Sequence, residues 1–133
     1  MTQQQDSPSA FDVIGGPTAV ERLVDTFYQR MDTLPEAATI RALHPADLSG
    51  IRAVLKKYLT EWLGGPPLYS SERGHPRLRM RHLPFSIGIP ERDAWMLCMR
   101  EALEEVIESP PVRAALLQEF SKLADWMRNR DTQ

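Results

Sequence analysis

An all-α domain is the fold class the sequence predicts, on three observations. Apolar residues recur at helical offsets along most of the chain, as at Val20, Leu23, Val24, Phe27, Tyr28 and Met31, which puts them on one buried face. Prolines fall between such stretches, where they punctuate rather than interrupt them. No segment shows the apolar–polar alternation of a half-buried strand.

Residues 1–8 are polar and read as a flexible N-terminal extension, with 9–130 forming a single domain. Ser9 can cap a short first helix that Gly15 and Gly16 end. Pro17 suits a first helical position, and the stripe after it carries a helix to about Met31. Leu34 and Pro35 precede a short helix over about 36–43, which His44 and Pro45 stop. Asp47 caps the next helix, with Leu48, Ile51, Leu55, Tyr58, Leu59 and Trp62 on one face and Arg52, Lys56 and Lys57 opposite. Gly64, Gly65, Pro66 and Pro67 end it. The stretch to Gly74 reads as a long irregular loop. Pro76 opens a short helix that Leu83 and Pro84 close. Pro90 and the Ser109–Pro110 pair start two long helices, about 90–108 and 110–130. The first shows Trp95, Met99, Ala102 and Val106, the second Val112, Leu116, Leu123, Trp126 and Met127. Residues from Arg128 onward read as a solvated end.

A chain of 133 residues makes one domain with a real core. A net charge of −2 gives no general attraction to nucleic acid or to an anionic membrane. No apolar run approaches the ~20 residues that span a bilayer, and the N-terminus lacks a signal peptide's basic and apolar regions. The single cysteine, Cys98, excludes an intramolecular disulfide and agrees with a reducing cytoplasm. A cytoplasmic protein is expected.

The segment from Arg73 to Gly88 carries most of the functional information. It holds Arg73, Arg77, Arg79 and Arg81 together with His75 and His82, and Leu78, Leu83 and Phe85 flank the second histidine. An iron porphyrin would use all of this: an apolar slot for the ring, an imidazole for the metal, and guanidinium groups for the propionates. His82 is the candidate iron ligand. Leu78 lies one turn earlier on the same face, and Phe85 follows where the chain can fold back onto the ring. Other readings compete. A buried histidine is often purely structural, and an arginine-rich helix can be a solvated face or a nucleic-acid patch. Here the basic charge stays local, without the dispersed lysines and exposed aromatics that track a phosphate backbone. A porphyrin-free metal site would have to draw on His75, His82 and Cys98, whose spacing matches no zinc pattern. A helical interaction module that binds an acidic partner through its arginines is the rival from a different functional class.

These residues also carry a resemblance. The Phe27–Tyr28 pair, Gly64-Gly65-Pro66, the Arg73–Phe85 segment and the Glu91–Trp95 run resemble the truncated haemoglobins, group II branch, over about Ala10 to Met127. The resemblance implies a two-over-two helical sandwich around haem b (iron protoporphyrin IX), with His82 as the proximal ligand and Arg81 and His75 near the propionates. Leu78 and Phe85 would contact the ring, and Leu55, Tyr58 and Leu59 would line its distal wall. Tyr28, His44 and Trp95 would surround the bound gas, with Ile51 and Phe27 beside them. Relatives often have tyrosine or phenylalanine where His44 stands, and Ile51 cannot donate a hydrogen bond.

Dioxygen or another diatomic gas is the expected ligand. Up to three donors would meet it, namely the Tyr28 hydroxyl, the Trp95 indole N–H and a ring N–H of His44, so binding should be tight and release slow. Peroxidase-like or nitric-oxide-detoxifying activity, served by an unidentified reductase, uses the same groups. So does a state in which His44 itself ligates the iron.

Overall fold

A computed structural model of the chain describes residues 8–75, 77, 80, 82 and 84–129. Its helices are α1 (Ala10–Ile14), α2 (Gly16–Thr33), α3 (Ala38–Arg41), α4 (Ser49–Trp62), α5 (Leu68–Arg73), α6 (Ile89–Val106) and α7 (Pro110–Trp126), with a 3-10 turn over Pro35–Ala37. The described residues contain no strand. Met80 and His82 have helical backbone. Pro76, Leu78, Arg79, Arg81 and Leu83 lie outside the described residues, so the predicted helix start at Pro76 does as well.

Local signals account for the helix ends. The Ser9 hydroxyl accepts the Asp12 backbone N–H at 3.1 Å. Proline stands in the first turn of α2, α6 and α7, where its missing N–H costs nothing. Asp47 accepts the Ser49 backbone N–H at 3.0 Å, so it works from one position before the Leu48 cap. The Gly64–Gly65 pair does two jobs. Gly64 takes the left-handed conformation (φ +98°) that closes α4, and a Cβ on Gly65 would lie 2.9 Å from the Phe11 ring and from the Thr60 carbonyl. The second glycine therefore lets α1 pack on the end of α4, where the Phe11 N–H donates to the Leu63 carbonyl at 2.9 Å.

Packing yields two layered pairs. α2 lies against α4 and across α6, and α6 lies against α7. Trp62 of α4 reaches Phe120 of α7 with ring centroids 4.7 Å apart, which ties the pairs together. The α2 stripe is buried as its spacing predicts, from Ala19 to Met31. Polar contacts flank it: Arg30 donates to Glu101 at 3.0 Å and also pairs with Glu105, while Lys56 meets Asp25 at 3.2 Å.

Three expectations need correction. The loop after Pro67 is a helix, α5. Its turn is anchored by the Glu61 carboxylate, which accepts the Ser70 N–H at 2.8 Å, and by the Lys57–Glu72 pair at 2.7 Å; neither long-range contact shows in local spacing. The long helices end sooner than expected, at Val106 and Trp126. Trp126 is not an inward residue: it is 62% exposed, whereas Phe120 is fully buried.

Candidate functional site

The α4 stripe explains where the site lies. Ile51, Leu55, Tyr58 and Trp62 have the spacing of a buried face yet are only half-buried. Three of them, with Val54, form one wall of a cavity of about 290 Å³, near the lower end of the range for small-molecule and cofactor sites. Tyr69 of α5 backs that wall, edge-on to Tyr58 with centroids 5.9 Å apart. Burial, then the Glu61 carboxylate and Tyr69, push the Tyr58 phenol up to about 12. Leu123, Ala124 and Met127 at the end of α7 also line the cavity. His82, Phe85 and Ile87, with Tyr28, Ile40, Leu43, His44 and Trp95, complete the lining. Phe85 and Leu43 are apolar and 41% and 37% exposed, which leaves greasy edges at the cavity rim.

Of the residues singled out in the sequence, His82, Phe85, Leu55, Tyr58, Tyr28, His44, Ile51 and Trp95 all line this one cavity. Phe27 and Leu59 do not: both are fully buried in the protein core. The Phe27 ring packs edge-on against Tyr28 at 5.0 Å and Trp95 at 5.2 Å, so it braces the two residues that reach the cavity. Leu59 sits one turn beyond Leu55, where α4 meets other helices instead of the open space. His75 is exposed and away from the lining, its Nδ1 accepting the Arg77 N–H at 3.1 Å. Leu78 and Arg81 lie outside the described residues.

The polar groups of the cavity are few and specific. Tyr28 is 3% exposed, and burial drives its phenol pKa well upward, so the hydroxyl keeps its proton. Among the described residues nothing hydrogen-bonds that hydroxyl or the Trp95 indole N–H, so two donors face the open space. His44 differs from expectation. Its Nδ1 lies 2.7 Å from the Ile40 carbonyl, and a carbonyl only accepts, so Nδ1 carries the proton. Burial lowers the His44 pKa, against the opposing pull of the Ile40 carbonyl, and the charges of Arg41 and His82 lower it further. The ring is therefore neutral and its Nε2 bears a lone pair. His44 is an acceptor or a metal ligand, not a third donor. Its loop is pinned by Arg41, which binds Asp32 at 2.6 Å and the Pro45 and Ala46 carbonyls at 3.0 Å each.

These features fit an iron porphyrin. One lining brings together apolar walls, the His82 imidazole and the Tyr28 and Trp95 donors. The porphyrin-free alternative does not assemble: among the described residues no three metal-ligating side chains converge. Cys98 is buried in the core, where burial and the Glu101 carboxylate push its thiol up to about 11; such a thiol is inert. Among the described residues no helix is long and apolar enough to cross a membrane.

Sequence reasoning did not assign to the site Ile40, Leu43, Val54, Leu123, Ala124 and Met127 of the lining, nor Tyr69, Ile87, Glu91 and Arg92. Glu91 had a local signal, since it is the third residue after Gly88 and accepts that residue's N–H at 2.7 Å. Tyr69 had none, because α5 itself was not expected.

Comparison with known proteins agrees with this geometry. Residues 9–129 match the family described as bacterial-like globin. A group 2 truncated hemoglobin of Bacillus subtilis is 40% identical over 115 residues, covering 86% of this chain and 85% of that protein. Among solved structures, the group II 2-on-2 hemoglobin from Agrobacterium tumefaciens superimposes with a TM-score of 0.92 at 46% identity, over 97% of this chain and 100% of its own. A truncated oxygen-avid haemoglobin from Bacillus subtilis gives 0.83 at 39% identity, over 92% and 100%.

Proposed function

This chain belongs to the bacterial-like globin family, in its group II truncated-haemoglobin branch, and from that premise we propose that it binds haem b through His82 and holds dioxygen tightly with slow release. Haem would supply a ferrous iron able to bind diatomic gases and to shift electron density onto dioxygen. The chain's own residues do the rest. His82 would supply the imidazole to the iron, and Tyr28 and Trp95, on the same cavity lining, would supply the donors to the gas. The apolar walls from Ile51 to Leu55 exclude water and so strengthen each polar contact inside. His75 and Arg81 would be the groups to meet the propionates, as the family resemblance implies.

The observation that carries the reading is the pair of unpartnered donors, the Tyr28 hydroxyl and the Trp95 N–H, on the same mainly apolar cavity lining as the His82 imidazole. Each donor to a charged ligand is worth about 1.5–3 kcal/mol, or roughly one to two decades of release rate. The description of one relative as oxygen-avid supports the same reading. Family membership favours it over a haem-free interaction module. Stopped-flow oxygen release tests it, with faster release expected in Tyr28→Phe and Trp95→Phe.

His44 supports a second function for the same site. A metal-ligating histidine commonly donates its other ring N–H to a carbonyl, and His44 already makes that bond to Ile40. Its Nε2 lone pair would therefore be available as an iron ligand in the gas-free protein.

A further inference from the structure

The end of the chain holds the segment that carries His82. Asn129 follows α7 by three residues and uses its backbone N–H and both ends of its side-chain amide. Its backbone N–H donates to the Ile87 carbonyl at 2.9 Å, and its Oδ1 accepts the Ile87 N–H at 2.9 Å. Its Nδ2 donates to the Phe85 carbonyl at 2.8 Å and to the His82 carbonyl at 3.3 Å. That last carbonyl also accepts the Phe85 N–H at 3.0 Å. The amide orientation is set by its partners, because one side faces an N–H and the other two carbonyls.

We infer that Asn129 is a positioning residue for the His82 imidazole, an inference that rests on His82 being the iron ligand. The chain turns sharply after His82 at Pro84, so the helical turn beneath the imidazole has no continuing helix to stiffen it. Asn129 supplies that stiffness from outside. It links the turn to the rigid end of α7, whose Leu123 and Met127 line the same cavity as Phe85 and Ile87. Fixing the His82 carbonyl fixes its Cα, and with it the direction from which the ring approaches the metal. The place calls for a side chain that both accepts and donates, as asparagine does: aspartate keeps the acceptor but cannot donate, and alanine does neither.

The test uses the haem-loaded full chain in Asn129→Asp and Asn129→Ala. Asn129→Asp is nearly isosteric and keeps the Ile87 contact, which guards against simple loss of fold. Two readouts apply: the iron–imidazole stretching band of the ferrous protein by resonance Raman, and the rate of haem transfer to excess apomyoglobin. The expected result is a shifted or broadened band and about tenfold faster haem loss, as two lost hydrogen bonds imply. The carbon monoxide stretching frequency, which reports Tyr28 and Trp95, should stay at its parental value. A parental band with parental haem loss in both variants overturns the inference. A band that vanishes in His82→Gly yet ignores both Asn129 variants defeats positioning alone; no iron–imidazole band in the parent defeats the ligand reading and this inference together.

Discussion

Tyr28 and His44 meet edge to face at the cavity, ring centroids 6.1 Å apart and planes at 74°. Their hydrogen-bonding roles are complementary. Burial keeps the proton on the Tyr28 oxygen, and the bond to Ile40 leaves His44 Nε2 without one. The cavity lining therefore holds donors from α2 and α6 and one acceptor from the loop after α3. Removing a donor should speed oxygen release about ten- to a hundredfold in Tyr28→Phe, and by a similar factor in Trp95→Phe. Stopped-flow mixing with a competing ligand measures it, and parental rates in both would defeat the donor assignment.

His44→Leu tests the lone-pair assignment. The ligand-free parent should show a six-coordinate, low-spin fraction in its absorption and electron paramagnetic resonance spectra, and His44→Leu should lose it. Identical spin-state mixtures in the two proteins would leave His44 as wall only.

A pH dependence follows from the lowered His44 pKa. As pH falls through 6.5, the ordinary value, the unfolded chain takes up this proton before the folded one does. Stability should therefore decline with acid from about that pH, levelling once the folded ring also protonates. Urea titrations of the haem-free chain at stepped pH should show a shallower decline in His44→Gln; parallel curves would contradict the buried neutral ring.

Much of this molecule can be read locally, and the exceptions share a cause. Pro17, Pro90, Ser109 and the Gly64–Gly65 pair mark helix ends by their own backbone chemistry, so the long helices were legible to within a few residues. The α4 stripe was legible as apolar, but the spacing of Ile51, Leu55 and Tyr58 is the same whether the face meets protein or a cavity. Phe27 and Leu59 were placed one neighbour too close to the site, since adjacent helical positions differ by about 100°. α5 depends on Glu61 and Lys57, and Asn129 on carbonyls 42 to 47 positions away. Nothing in a polar tail announces such partners.

Gly65→Ala tests the packing that holds α1 on α4. A methyl there meets the Phe11 ring and the Thr60 carbonyl at 2.9 Å, and overpacking of this kind costs about 1–3 kcal/mol. Thermal denaturation should show the loss, with the absorption spectrum of the haem-loaded protein unchanged. An unaltered melting temperature would show that α1 can shift freely.

The central claim, that His82 ligates the iron, is tested most directly by chemical rescue. His82→Gly, reconstituted with haemin, should lack the iron–imidazole band of the ferrous parent and regain it when free imidazole is added to the emptied position. A parental band in His82→Gly without added imidazole would contradict the account.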